Sequence, residues 1–349
     1  MLSHFGEVDY NEVHQLAKEQ SVVGLLAAGI EHIIDVKPPK ELVLEIVGES
    51  LQLEQRNTAM NLFIARLVEK MRNADIYTLL VKGQGVAQCY ERPLWRACGD
   101  VDLFLSDDNY QKAKKILLPL AKSSEPEGLY KKHFEMVIDP WVVELHGSMR
   151  SGLSPKVDKV IDETQNEVFY GGNVRSWMNG NSQVFLPGVN SDVILLFTHF
   201  IKHFYCEGLG LRQICDWCRL LWTYKDSLNH GLLESRIRKM GLMNEWHAFA
   251  SLAVEYLGMP IDAMPLYEDK SSLKRKSIRI MSFILDVGNF GHNRDRSYYQ
   301  KYPFLIRKTI SMGRRCGDLI QHAIIFPWDS IRFFPAIIIN GLRSAATGE

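Results

Sequence analysis

Seven residues in the first third of this 349-residue chain, Gly99-Asp100-Val101-Asp102-Leu103-Phe104-Leu105, restrict its fold more than any other stretch. Two aspartates two apart in an otherwise apolar run form the pattern of a half-buried β-strand. On a strand, residues i and i+2 share a face, so both carboxylates project together while Val101, Leu103 and Leu105 pack beneath. Two carboxylates that close repel each other, and a cation between them removes the cost. Paired hard oxygen ligands suit Mg²⁺, which binds one or two carboxylates together with substrate phosphates. The plainer alternative is a strand edge carrying two solvated aspartates. On this reading, asparagine at either position leaves stability in metal-free buffer unchanged or raised, because like-charge repulsion is lost.

A third carboxylate follows. In Trp141-Val142-Val143-Glu144-Leu145-His146, Val143 and Leu145 point one way and Glu144 and His146 the other. Beside the aspartate strand, Glu144 completes an acidic triad able to hold two cations about 3.5–4 Å apart. Elsewhere, Glu144 and His146 are only a polar edge. Ahead of the aspartates, the apolar run Ile76 to Val81 closes on Lys82-Gly83-Gln84-Gly85. Small residues there let backbone N–H groups approach phosphate oxygens, and Lys82 adds a compact positive charge.

Lys82-Gly83, a short helical stretch, Arg96 and then Gly99-Asp100-Val101-Asp102 together resemble the "KG…R…GDxDLfv" core of a bacterial family of uncharacterised nucleotidyltransferases. That family is similar to the wider DNA polymerase β-like superfamily. Leu16 to Leu26 looks like its opening helix, Val143-Glu144-Leu145-His146 like its "(D/E)xH" strand, and Leu211-Arg212-Gln213-Ile214-Cys215-Asp216 like its "LR…D" helix. The resemblance spans residues 10 to 225, with a weaker echo at Gly288-Asn289-Phe290-Gly291. The chain departs at Gln84, where the superfamily's shortest pattern has Ser or Gly, so no hydroxyl is offered to a phosphate there.

The resemblance implies an α+β fold: a small mixed β-sheet nucleotidyltransferase core with N-terminal helices and a C-terminal helical domain. The divisions fall at residues 1–75, 76–188 and 189–349. It also implies attack by an acceptor hydroxyl on the α-phosphate of a nucleoside triphosphate, releasing pyrophosphate. Asp100, Asp102 and Glu144 would be catalytic and would hold Mg²⁺, or Mn²⁺ in its place. Lys82, Gly83, Gln84, Arg96, His146, His199, His203, Arg212 and Asp216 would bind the substrates, with Arg96 neutralising the leaving pyrophosphate or pairing with the aspartates. The acceptor, whether sugar, small molecule, protein or RNA end, stays open. The alternative is a non-catalytic nucleotide-binding or scaffold protein that retains the fold. A degenerate member of that kind would lose a carboxylate, whereas this chain keeps all three.

Outside the core, helical spacing predicts Asn11 to His32, Glu41 to Asn73 and Asn109 to Leu118. It continues with Asp192 to Tyr205, Leu211 to Tyr224, Leu232 to Met240 and Asn244 to Tyr256. Phe134 to Ile138 and Trp141 to His146 read as strands joined at Asp139-Pro140. His199 and His203, four apart, share a helix face. With Cys206, Cys215 and Cys218 they suggest zinc, but Cys215 and Cys218 fall on one stripe with Leu211, Ile214, Leu221 and Trp222, and there is no second C-x-x-C. Arg212, Asp216 and Arg219 then form the opposite stripe, facing water or a cleft.

Lys plus Arg and Asp plus Glu number 41 each, so no global basic field calls for a nucleic-acid partner. Six cysteines are few for this length and read as reduced thiols. The first ten residues lack a basic and then apolar leader, and no apolar run is long enough to span a bilayer. These features predict a cytoplasmic protein. The apolar piece Ile331 to Leu342, interrupted by Pro335, is expected to pack on the helical domain.

Overall fold

The computed structural model describes residues 6–127, 132–291 and 301–347. The chain divides into two compact units, one of Met1–Ser148 with Asn166–Asp192, the other of Met149–Gln165 with Val193–Glu349.

In the first unit, α1 (Tyr10–Glu19) starts where the Asp9 carboxylate accepts the Asn11 and Glu12 N–H groups. α2 follows over Val23–Ile30, so the single helix expected from 11 to 32 is two, broken at Ser21 with φ +57°. α3 (Lys40–Arg72) buries Leu42, Ile46, Asn57, Met60, Ile64, Leu67 and Met71 along one side. The sheet elements are β1 (Leu79–Val81), β2 (Asp100–Phe104), β3 (Ser123–Ser124), β4 (His133–Ile138) and β5 (Trp141–His146). α4 (Gly83–Ala87) lies between β1 and β2, and α5 (Asp107–Leu117) follows β2.

Among the described residues these strands make one five-stranded sheet in the order β1-β2-β5-β4-β3. β2 and β5 are parallel and the other pairs antiparallel. A parallel pair needs a crossover, and α5, β3 and β4 provide it. Val101, Leu103, Val143 and Leu145 face the core at no more than 1% exposure, as alternation predicts. α6 (Pro155–Tyr170), whose residues through Gln165 belong to the second unit, precedes a hairpin of β6 (Val174–Asn179) and β7 (Ser182–Pro187). Gly180, φ +60°, takes the first turn position, as a type II′ turn requires.

The second unit is helical: α7 (Val189–Cys206, which begins in the first unit), α8 (Leu211–Thr223), α9 (His230–Met240), α10 (Met243–Tyr256), α11 (Ser271–Val287), α12 (Phe304–Ile325) and α13 (Pro327–Thr347). Its core is aromatic. Phe197, Phe200, Phe204, Trp217, Trp246 and Phe249 contact one another edge-on or tilted. α9 is capped by Asn229 and stopped by left-handed Gly241.

The phase of α8 differs from the sequence reading. Ile214, Trp217 and Leu221 form its buried centre, Trp222 is 38% exposed, and Asp216 is buried, so of the two settings read for it water is excluded. In α13, Phe333 and Ile337 pack inward while Ile331, Ile338 and Ile339 stay exposed. Among the described residues no helix is long and apolar enough to cross a membrane.

Candidate active site

The register of β2 and β5 decides the site. Asp102 sits opposite Glu144 in the parallel ladder and Phe104 opposite His146. Because side chains alternate, Asp100, Asp102, Glu144 and His146 all leave the sheet on the face away from the apolar core. One carboxylate oxygen from each of Asp100, Asp102 and Glu144 lies within 4.8 Å of the others. The triad that depended on adjacent strands is therefore formed.

The carboxylates have basic neighbours. Lys82 Nζ donates to Asp102 Oδ1 at 2.6 Å, and His146 Nε2 lies 2.7 Å from the same oxygen and 3.2 Å from Glu144 Oε2. Burial alone would lower the Lys82 pKa, but the charges of Asp102, Glu144 and Asp100 outweigh it and raise it. For His146, burial and Lys82 pull downward and the hydrogen bonds to Asp102 and Glu144 prevail, leaving it raised. Glu144 would be pushed up by burial, yet bonds from His133 and His146 and the Lys82 charge hold it well below the usual carboxylate range.

Lys82 reaches Asp102 from an unusual backbone. Its φ of +55° and ψ of −146° lie in a region that glycine occupies far more readily than lysine. Gly83 follows at φ +38°, against Cys98 Sγ, which a Cβ would meet at 3.1 Å. Gly85 instead packs on Leu186, where a Cβ would come to 2.9 Å, so it serves the core.

The Gln84 side chain is held by the long helix. Its side-chain amide is buried and donates to Asn57 Oδ1 at 2.8 Å and toward Met60 Sδ, so the side chain is turned onto α3. Asn57 also donates to the carbonyls of Leu94 (2.7 Å) and Arg96 (2.8 Å). One asparagine thus ties both α4 and the segment before β2 to the long helix. Arg96 is itself buried, with Nη1 donating to Ala97 O.

The remaining predicted residues belong to the second unit. His199 and His203 do share a face, their Nε2 atoms 3.0 Å apart, and His203 Nδ1 lies 2.9 Å from Glu207. Arg212 is half-buried and Asp216 buried on α8. Beside it, Gln213 donates to Asn289 Oδ1 at 2.9 Å, and Gly210 fits closely against Asn289, which connects the 288–291 segment to this helix.

His133 was missed. It opens β4 directly opposite His146, and its Nε2 lies 3.1 Å from Glu144 Oε2. The signal was present in His133-Phe134-Glu135-Met136-Val137-Ile138, whose apolar residues alternate and leave His133 on the polar face. A further group of His14, Glu45 and Glu49 has suitable spacing for a cation, but Lys18 Nζ already bridges Glu45 and Glu49 at 3.1 and 2.8 Å.

The donor set of Asp100, Asp102 and Glu144, three hard oxygens on one rigid face, fits a divalent cation such as Mg²⁺. A family model described as uncharacterised nucleotidyltransferase matches residues 6–258. No curated protein matches the chain. Among solved structures, an antigenic nucleotidyltransferase-like protein from Paracoccidioides brasiliensis is similar at 12% identity and a TM-score of 0.35, over 60% of this chain and 93% of that one.

Proposed function

Because this chain belongs to the uncharacterised nucleotidyltransferase family, we propose that it transfers a nucleoside monophosphate from a nucleoside triphosphate to an acceptor hydroxyl. The observation that carries this reading is the convergence of Asp100, Asp102 and Glu144 within 4.8 Å on adjacent strands, with Lys82 beside them. The acceptor oxygen bonds to the α-phosphorus as the bond to the bridging oxygen breaks. Pyrophosphate leaves with that electron pair, and the acceptor proton passes to solvent.

Asp100, Asp102 and Glu144 would hold Mg²⁺ or Mn²⁺, which when bound neutralises phosphate charge and lowers the pKa of a bound hydroxyl. Lys82, aimed by its own backbone, places a fixed cation where phosphate charge builds up, the stabilisation that dominates phosphoryl-type transfer. Arg96 and the N–H groups of Gly83 and Gln84 contribute further positive ends. His146, hydrogen-bonded to both Asp102 and Glu144, fixes how these two carboxylates are turned. His199, His203, Arg212 and Asp216 are proposed to contact nucleotide or acceptor, on the strength of the family's "LR…D" helix.

The test is a screen of the four labelled triphosphates with Mg²⁺ or Mn²⁺ against cell extract, wild type beside Asp100→Asn. A labelled product formed by wild type alone supports the reading. Absence of both product and metal-dependent triphosphate binding refutes it.

A further inference from the structure

The acidic triad does not account for everything on the polar face of the sheet. β4 and β5 set His133 and His146 directly opposite each other, ring centroids 4.9 Å apart, with Glu144 next to both. Both imidazoles present Nε2 to one atom, Glu144 Oε2, at 3.1 and 3.2 Å. These three ligand atoms lie within 4.8 Å of one another. Two nitrogens and one carboxylate oxygen form a different donor set from the three oxygens across the strand. Mg²⁺ favours oxygen and keeps its water, whereas imidazole suits ions such as Zn²⁺, Fe²⁺ and Ni²⁺. Three protein ligands with a free position are the pattern of catalytic rather than structural zinc sites.

We propose that His133, His146 and Glu144 form a second cation site for an imidazole-accepting transition-metal ion of the Zn²⁺ or Co²⁺ kind, sharing Glu144 with the oxygen site of Asp100 and Asp102. The proposal rests on the reading of the acidic triad as a cation site, and it makes the pair of sites chemically unequal. The framework is rigid: His146 and Glu144 come from one strand, and His133 from its hydrogen-bonded neighbour, so ligand spacing is set by sheet geometry rather than by a loop. His146 is 8% exposed, while the His133 side chain is 37% exposed, which leaves an open side for a water or an acceptor oxygen. Binding requires each Nε2 to give up its hydrogen and turn its lone pair to the ion. The contacts with Asp102 and Glu144 are then exchanged for coordination.

Co²⁺ is the probe, because visible absorption reports its ligands without any turnover. Wild type, His133→Ala, His146→Ala and Asp100→Asn are titrated with CoCl₂, and with ZnCl₂ in competition, with circular dichroism checking each fold. Wild type is expected to show the intense visible bands of a low-coordinate nitrogen-containing site, displaced by Zn²⁺. Asp100→Asn should keep them. His133→Ala should weaken Co²⁺ by more than roughly 100-fold, beyond the 10–100-fold typical of losing an outer-shell partner. If His133→Ala does not fold, His133→Gln gives the same comparison with the bulk retained. Equal Co²⁺ affinity and spectrum in wild type and the folded His133 variant would overturn the site, the histidines being hydrogen-bonding partners only. Mg²⁺-dependent triphosphate binding by wild type is measured in parallel. Its absence, together with absence of labelled product, alongside an intact Co²⁺ spectrum would refute the proposed transfer reaction and leave this site standing.

Discussion

Asp102→Asn tests the electrostatics of the site without any turnover. From the sequence, removing one of two neighbouring carboxylates relieves repulsion and leaves stability equal or better. With His146 protonated, the structure reverses that sign. Asp102 is 2% exposed and its Oδ1 faces Lys82 at 2.6 Å and the raised-pKa His146 at 2.7 Å. At about pH 5.5, where the assay is run, the medium lies below the ordinary imidazole value that His146 exceeds, so His146 carries its charge. At an effective dielectric of 20, each of the two attractions is then on the order of 6 kcal/mol. Repulsion from Asp100 and Glu144, at separations up to 4.8 Å, returns on the order of 3–4 kcal/mol apiece. The balance is a loss of roughly 5 kcal/mol, reduced because a neutral amide is cheaper to bury than a carboxylate. A destabilisation of about 3 kcal/mol results, in the range for breaking a buried pair and leaving one partner charged. Urea unfolding in EDTA-containing buffer, followed by tryptophan fluorescence, measures it. The double variant Lys82→Met/Asp102→Asn should lose less than the sum of the two single variants, since their shared contact is broken only once. A midpoint for Asp102→Asn at or above wild type would show that repulsion, not pairing, governs this face.

Asn57→Ala removes three hydrogen bonds, two of them buried, and takes a partner from the Leu94 and Arg96 carbonyls and from the Gln84 amide, so a loss of about 3 kcal/mol in urea unfolding is expected, against under about 1 kcal/mol if other partners compensate. Burial, with Asp329 nearby, pushes Glu245 up to about 8, although Tyr205 donates to it. The folded state therefore holds this proton more tightly than the unfolded one. Its stabilising contribution is complete below about pH 4.5 and is lost as pH rises toward 8. Melting temperature should fall across that window in wild type and fall less in Glu245→Gln; equal slopes would exclude Glu245 as the source. Glu144→Gln should bind triphosphate near normally in calorimetry and lose turnover, whereas loss of binding equal to Asp100→Asn would make it a nucleotide-side ligand. Arg212→Ala should weaken nucleotide or acceptor binding by about 2 kcal/mol if it makes a charge-assisted contact; an effect within about 0.5 kcal/mol would assign α8 a purely structural part.

The strands of the site were legible because period-two alternation separates core from chemistry. Val101 and Leu103 had to go one way, Asp100 and Asp102 the other, and the β2–β5 register then brought in Glu144. His133 escaped because alternation puts it on the polar face without saying what lies beside it; only the pairing with β5 sets it against His146 and Glu144. Asn57 was hidden for a related reason. It lies on the same helical stripe as Met60 and Ile64, a polar residue at a core position, and its partners are 27 to 39 residues away. The phase of α8 was misread because apolar residues occur on several sides of it. Trp222 was counted inward and Asp216 outward, whereas packing placed Trp217 at the centre and buried Asp216.

The backbone of Lys82 has a consequence for how position 82 tolerates change. Its φ and ψ suit glycine, while the contact with Asp102 needs an ammonium on a long stem. No single residue satisfies both demands. In a saturation library sorted for abundance, glycine relieves the backbone but leaves Asp102, Glu144 and Asp100 without their lysine, so it should rank above the other uncharged residues and below lysine. In the same library sorted for product, lysine alone should survive. Arginine keeps the charge and the strain but brings a planar fork into a space shaped for a compact head. The first selection would thus separate glycine from the other uncharged residues and the second would not, marking position 82 as a place where charge is kept against the preference of the local backbone.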